Sequence, residues 1–208
     1  MMGHTAKTTH IVQAPSANLY FDNVLQCNAA KVLPGEYHIS QEDIAIVTVL
    51  GSCVAACIRD PGNGIGGMNH FMLPDAASQD ALTSEPARYG TYAMEVLINQ
   101  LVKAGARRSA LQAKVFGGAN VIPGMTQVSV GQRNADFVLD FLKTEGIPVI
   151  ARDLQDVCPR KVAFFPRSGV VRLKRLTEDF NHQLLERERT YRNRFKVEPI
   201  AGEVELFG

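Results

Sequence analysis

Apolar residues in the first third of the chain gather into short runs rather than falling at helical spacing. Residues 1–29 mix polar and aromatic positions without a sustained period and read as an extension that lies on the domain or stays mobile. Regular patterning begins at Ala30-Lys31-Val32-Leu33-Pro34-Gly35-Glu36-Tyr37, where the Pro-Gly pair marks a turn into a strand. Ile44 to Leu50 is short, apolar and rich in β-branched residues, the pattern of a buried strand. Gly51-Ser52 interrupts it, and the apolar run resumes from Cys53 to Ile58. Asp60-Pro61-Gly62-Asn63-Gly64 is a strong turn signal, so Ile65 to Met72 is expected to return against the Cys53 run as its antiparallel partner.

From Pro86 to Ala104 the spacing turns helical, with Ala93, Val96 or Leu97, and Leu101 on one stripe, Pro86 near the start and Gly105 past the end. A second helix is expected from about Asn134 to Thr144, with Val138, Phe141 and Leu142 inward and Gly146 as its stop. Leu111 to Phe116, Ile147 to Arg152, Lys161 to Phe165 and Val170 to Lys174 read as further strands, the last two joined by the hairpin turn Pro166-Arg167-Ser168-Gly169. The order of elements is irregular, which favours a mixed α+β fold over a doubly wound sheet. The predicted organisation is an extension over 1–29, a domain over 30–176 and a charged tail over 177–208. In the tail, Phe180, Leu184 and Leu185 make a thin apolar stripe and Glu186 to Arg194 carries charge of both signs, so it reads as a solvated amphipathic helix, with partner binding as the other reading.

Composition narrows the function classes. Lys plus Arg number 22 against 21 Asp plus Glu, a formal charge of +1, which leaves no basic footprint for nucleic acid or an anionic membrane. No apolar run approaches the roughly 20 residues of a membrane span. The polar start, His4 to His10, is unlike a secretory signal, so a cytoplasmic protein with no membrane insertion is expected. In that reducing compartment the 4 cysteines are expected as free thiols. A monomer is expected because no heptad run is present.

Chemistry concentrates in Thr48-Val49-Leu50-Gly51-Ser52-Cys53-Val54-Ala55-Ala56-Cys57 and in His70, seventeen residues beyond Cys53. A cysteine after Gly51-Ser52 sits at a strand interruption where substrate can approach the backbone and amide N–H groups can converge on an oxyanion. A thiol of ordinary pKa near 8.5 is mostly neutral at pH 7, and a paired histidine would supply the missing base. The hairpin would bring Cys53 and His70 onto adjacent strands. Against this stand the plainer readings of a buried apolar cysteine and a hydrogen-bonded histidine. Cys57 is read as packing. The cysteine spacing does not suit a metal site, and no P-loop, dinucleotide fingerprint or Gly-x-Ser-x-Gly elbow is present. Gly117-Gly118 and the glycines from Gly62 to Gly67 are read as turns.

Four segments in order, Thr48 to Val54, Gly67-Met68-Asn69-His70-Phe71-Met72-Leu73-Pro74, Lys114-Val115-Phe116-Gly117-Gly118-Ala119 and Gly131-Gln132-Arg133-Asn134, resemble the CheD family of chemoreceptor glutamine deamidases. The resemblance spans roughly residues 30 to 176. It implies a cofactor-free cysteine hydrolase that converts glutamines of methyl-accepting chemoreceptor cytoplasmic domains to glutamate, with Cys53 as nucleophile, His70 as base and Thr48 orienting the imidazole. Gly51 and Ser52 would belong to the oxyanion loop. It implies a layered β-sandwich-like core with covering helices, of the kind found in toxin-type cysteine deamidases. The family is also linked to a response-regulator phosphatase, so a noncatalytic module that binds the phosphatase or the receptor is the rival reading. Amide or ester chemistry on another substrate, including transfer to an amine, is a third. Two departures stand out: Thr48 lies five residues before Cys53 where some relatives have six, and Asp153-Leu154-Gln155-Asp156 lacks the glycine pair common after that aspartate.

Overall fold

The computed structural model describes residues 14–16, 18–73, 85–120, 130–176, 186 and 188–191. In chain order the elements are β1 (Ala14–Pro15), β2 (Asn18–Asp22), β3 (Cys27–Lys31), β4 (Glu36–Ser40), β5 (Ala45–Leu50), β6 (Val54–Asp60), β7 (Ile65–Asn69), α1 (Glu85–Lys103), a 3-10 turn (Arg108–Ala110), β8 (Gln112–Gly117), α2 (Val130–Thr144), β9 (Val149–Leu154), β10 (Arg160–Phe164) and β11 (Val171–Arg175). They form two mixed sheets, one ordered β1-β4-β7-β6-β8-β9 and the other β11-β10-β5-β3-β2.

Strand alternation explains how the layers stack. Ala55 and Cys57 of β6, with Cys53, Met68 and Met72, pack on Ile46 and Leu50 of β5 and on Val162 and Phe164 of β10, which makes the core between the sheets. The intervening β6 residues Val54, Ala56 and Ile58 face the other way and meet Ala93, Leu97 and Leu101 of α1 and Val138 and Leu142 of α2. β6 is therefore buried on both faces, which is why its sequence reads as a continuous apolar run. The result is a layered α+β fold, helices on sheet on sheet, as the irregular element order predicts.

The predicted hairpin is present: β6 and β7 are antiparallel, with Cys57 opposite Met68 and Asp60 opposite Ile65. Three elements differ from expectation. The segment before residue 30, expected as an extension, supplies β1, β2 and β3, and β3 lies parallel to β5 inside the second sheet. Its burial falls on Ala29 and Ala30, whose small side chains leave only a faint hydrophobic pattern. The helix expected from Asn134 begins at Val130, because Gly131 lies against the Gly118 and Ala119 carbonyls, where a Cβ would stand 2.4 and 2.7 Å from their oxygens. Around residue 188 the tail is helical but not wholly solvated: Glu188 and Tyr191 are buried while Arg189 and Thr190 are exposed. Phe180, Leu184 and Leu185, the expected apolar stripe of the tail, lie outside the described residues.

Candidate active site

Thr48 sits on the inner face of β5, alternating with Ile46 and Leu50, and is almost fully buried. Its hydroxyl donates to the Val32 carbonyl at 2.7 Å and stands 2.8 Å from His70 Nδ1. A hydroxyl has one proton, and a carbonyl can only accept. With that proton directed at Val32, the Thr48–His70 bond requires the hydrogen on Nδ1, so the neutral ring keeps its Nε2 lone pair. The His70 backbone is fixed as well, its N–H donating to the Glu36 carbonyl at 3.0 Å and its carbonyl accepting from Gly35 at 2.8 Å. Burial lowers the imidazole to a pKa of about 4, against 6.5 ordinarily.

Cys53 and His70 meet at one end of the β6–β7 pair. Val54 and Phe71 exchange two backbone hydrogen bonds, N to O, of 3.0 and 2.9 Å. That register sets Cys53 opposite Met72 and His70 opposite Ala55, so both candidates lie on the face turned to the second sheet. They are diagonal rather than direct neighbours, and the diagonal spacing of roughly 7–8 Å remains within reach of long side chains. Cys53 is fully buried. Burial and then the nearby Glu188 carboxylate push its thiol well above the usual range, so the thiol is neutral in this arrangement. Burial raises Cys57 too. It points into the inter-sheet core, as expected of a packing residue.

The Gly51-Ser52-Cys53 bend has all three carbonyls engaged. The Ala119 N–H donates to Gly51 O at 2.7 Å, Asn134 Nδ2 to Ser52 O at 2.8 Å, and the Gly118 N–H to Cys53 O at 2.7 Å. Held from that side, the bend presents its own amides elsewhere. The Gly51 and Cys53 N–H groups donate to Glu188 Oε1 at 3.2 and 3.4 Å, and Ser52 Oγ donates to Glu188 Oε2 at 2.6 Å. The Ser52–Cys53 peptide is held at both ends, its carbonyl by Asn134 and its N–H by Glu188, and the three donors together have the form of a pocket for an oxygen that bears negative charge.

The structure thus brings Thr48, His70, Cys53, Gly51 and Ser52 into one site. Two polar residues were not anticipated there. Asn134 is fully buried and bridges the halves of the site, donating to Ser52 O and accepting from the Leu73 N–H at 2.9 Å. Its signal was a polar residue four positions before Val138, on the apolar stripe of α2. Glu188 continues the spacing Phe180, Leu184, Glu188, Tyr191, so a carboxylate on an otherwise apolar stripe was the sign to read. Gly117 and Gly118, read as turns, adopt positive φ of 110° and 67° and carry the loop that holds the Cys53 bend. The loop lacking the glycine pair still takes left-handed backbone, with φ of 65° at Gln155 and 73° at Asp156. Buried Arg160 braces it through Asp153 and the Gln155 carbonyl.

Among the described residues no group of His, Cys, Asp and Glu is arranged to hold a metal ion, and no helix is long and apolar enough to cross a membrane.

A family model described as CheD chemotactic sensory transduction matches residues 72–175. The chain is 58% identical over 194 residues to a Methylobacillus flagellatus protein named "Probable chemoreceptor glutamine deamidase CheD", covering 92% of this chain and 96% of that one. A Herminiimonas arsenicoxydans protein of the same name is 58% identical over 193 residues, 92% of this chain and 95% of that one. One from Laribacter hongkongensis is 47% identical over 207 residues, 99% of both chains. Among solved structures, a Bacillus licheniformis hypothetical protein YfiH aligns with 58% of this chain and 51% of its own at TM-score 0.36 and 10% identity, a likeness too slight to bear on function.

Proposed function

The chain belongs to the CheD family, and from that premise we propose that it is a cysteine hydrolase acting on glutamine side chains of methyl-accepting chemoreceptors. Cys53 is the nucleophile and His70 the base, with Thr48 orienting the ring. The observation that carries this reading is the Thr48–His70 hydrogen bond beside Cys53, which leaves Nε2 as the basic nitrogen of a neutral imidazole.

His70 Nε2 takes the thiol proton as Cys53 Sγ bonds to the carboxamide carbon. The Gly51 and Cys53 N–H groups stabilise the oxyanion, and one such donor is worth about 2.7–4 kcal/mol in the transition state. The imidazolium returns its proton to the departing nitrogen, ammonia leaves, and a thioester remains on Cys53. Water then attacks the thioester with His70 again as base, which releases glutamate and restores the thiol. No step calls on a cofactor. The receptors' cytoplasmic domains as substrate place the protein in the cytoplasm, and a response-regulator phosphatase is a second partner under the same reading.

The test is mass spectrometry of a chemoreceptor cytoplasmic fragment incubated with wild type and with Cys53→Ala. Conversion of glutamine to glutamate by wild type alone is the expected result; equal conversion by both would remove Cys53 from the chemistry. An added primary amine that appears as an adduct would reassign the reaction to transfer.

A further inference from the structure

A glutamate side chain of the chain itself already lies in the candidate site. Glu188 is only 7% exposed, and its carboxylate accepts three hydrogen bonds from the Gly51-Ser52-Cys53 bend. Among the described residues no cation pairs with it. It is held as an oxyanion would be, by amides and a hydroxyl.

Its presentation is equally specific. Residues 188–191 are helical, so Glu188 and Tyr191 share a helix face. Tyr191 is buried in the inter-sheet cluster, where its hydroxyl lies so near Gly35 that a Cβ there would stand 2.8 Å away. The same hydroxyl is hydrogen bonded to Tyr89 of α1. Tyr191 anchors the segment on both helix and turn, and Glu188, one turn earlier, is thereby directed into the bend.

We propose that the Gly51-Ser52-Cys53 cradle takes the side-chain carboxylate of a glutamate carried on a helix, and that Glu188 occupies it as an internal product analogue that closes the site to other side chains. The inference rests on the deamidase reading for the word product; occupancy of the cradle stands apart from it. A carboxylate and a carboxamide have nearly the same size and shape, so the seat that holds Glu188 also suits a glutamine presented in the same way. An incoming glutamine must displace the segment around Glu188. While the segment is seated, its negative charge beside Sγ opposes the thiolate, so the resting site is closed sterically and electrostatically. Release of the segment from the Tyr89 and Gly35 contacts opens it.

The experiment uses the full chain as wild type, Glu188→Ala and Tyr191→Ala. The rate at which iodoacetamide alkylates Cys53 is read by peptide mass spectrometry, with Cys57 as an internal reference. Both variants are expected to raise Cys53 alkylation about tenfold or more while Cys57 stays protected. Variants that merely unfold would expose both cysteines together, and that result, like unchanged Cys53 alkylation, overturns the proposal. Glu188→Gln supplies a second readout: the intact chain is expected to gain the mass difference between an amide and a carboxylate, and a Cys53→Ala partner substitution is expected to abolish the gain. Faster Cys53 alkylation with no turnover of receptor fragments by any form would uphold the occupancy and remove the deamidase reading.

Discussion

Gly117 lies so close to Cys53 that a Cβ at Gly117 would stand 2.2 Å from the Cys53 carbonyl oxygen. Its φ of 110° also lies where side chains are strained. The Cys53 bend and the end of β8 are built as one unit, and the glycine is what lets their backbones meet. Gly117→Ala is expected to lose most deamidase activity and to lower stability by more than about 2 kcal/mol, read from the urea midpoint. Wild-type stability in that variant would show that the bend tolerates separation from β8.

The Thr48 hydroxyl serves two buried groups at once, the Val32 carbonyl and His70 Nδ1. Thr48→Val removes both bonds at nearly constant volume and is expected to cost about 1–3 kcal/mol. It should also lower kcat by about tenfold to a hundredfold with little change in KM, since the ring loses its orientation. Thr48→Ser keeps the hydroxyl and should restore most of kcat; failure of serine to do so would assign the effect to packing.

Asn134 couples the Cys53 bend to the strand end after His70 through Ser52 and Leu73. Asn134→Leu keeps the branching and number of side-chain heavy atoms but removes the donor and the acceptor, which leaves both backbone groups unsatisfied. The expected outcome is a fall of tenfold or more in kcat/KM and a loss of about 2 kcal/mol, with Cys53 and His70 untouched. Steady-state kinetics together with thermal unfolding separate the two effects.

Stability should fall between neutral pH and about pH 4.5. The folded pKa of His70, about 4, lies below its ordinary 6.5, so the unfolded chain binds a proton more readily in that interval. The stabilisation is fully present above about pH 6.5 and is lost as pH falls toward 4, to a total of about 3 kcal/mol. Burial lowers His38 as well, which adds to the same window. Urea titrations from pH 7.5 to 4.5 should show the slope, and His70→Asn should flatten it in part; an unchanged slope would mean that His70 protonates freely in the fold.

Gln155 is a non-glycine residue at φ 65°. Gln155→Gly is expected to stabilise the protein by about 1 kcal/mol, a rise of about 2–4 °C in Tm. A lower Tm would mean that the side chain contributes more than the backbone strain costs.

Much of the architecture is legible in the residues alone. β5, β6 and β7 read as short, nearly unbroken buried runs bounded by turn signals, and both helices carry apolar side chains at helical spacing, so local pattern reports them directly. The candidate pair Cys53 and His70 was also visible, because a strand interruption, a thiol and an imidazole fall on paired runs; Thr48 entered only through the family resemblance. What escaped was decided by stacking. β3 buries two alanines and β2 buries only Asp22, which scarcely mark a period. Asn134 reaches Ser52 only because α2 packs across the end of β8, and Glu188 reaches Gly51 across 137 positions of chain. No local preference encodes a hydrogen bond of that separation. The sequence determined the elements and the reactive side chains; the tertiary packing decided that three carbonyls of the Cys53 bend are held on one side and that a carboxylate from the tail meets its amides on the other.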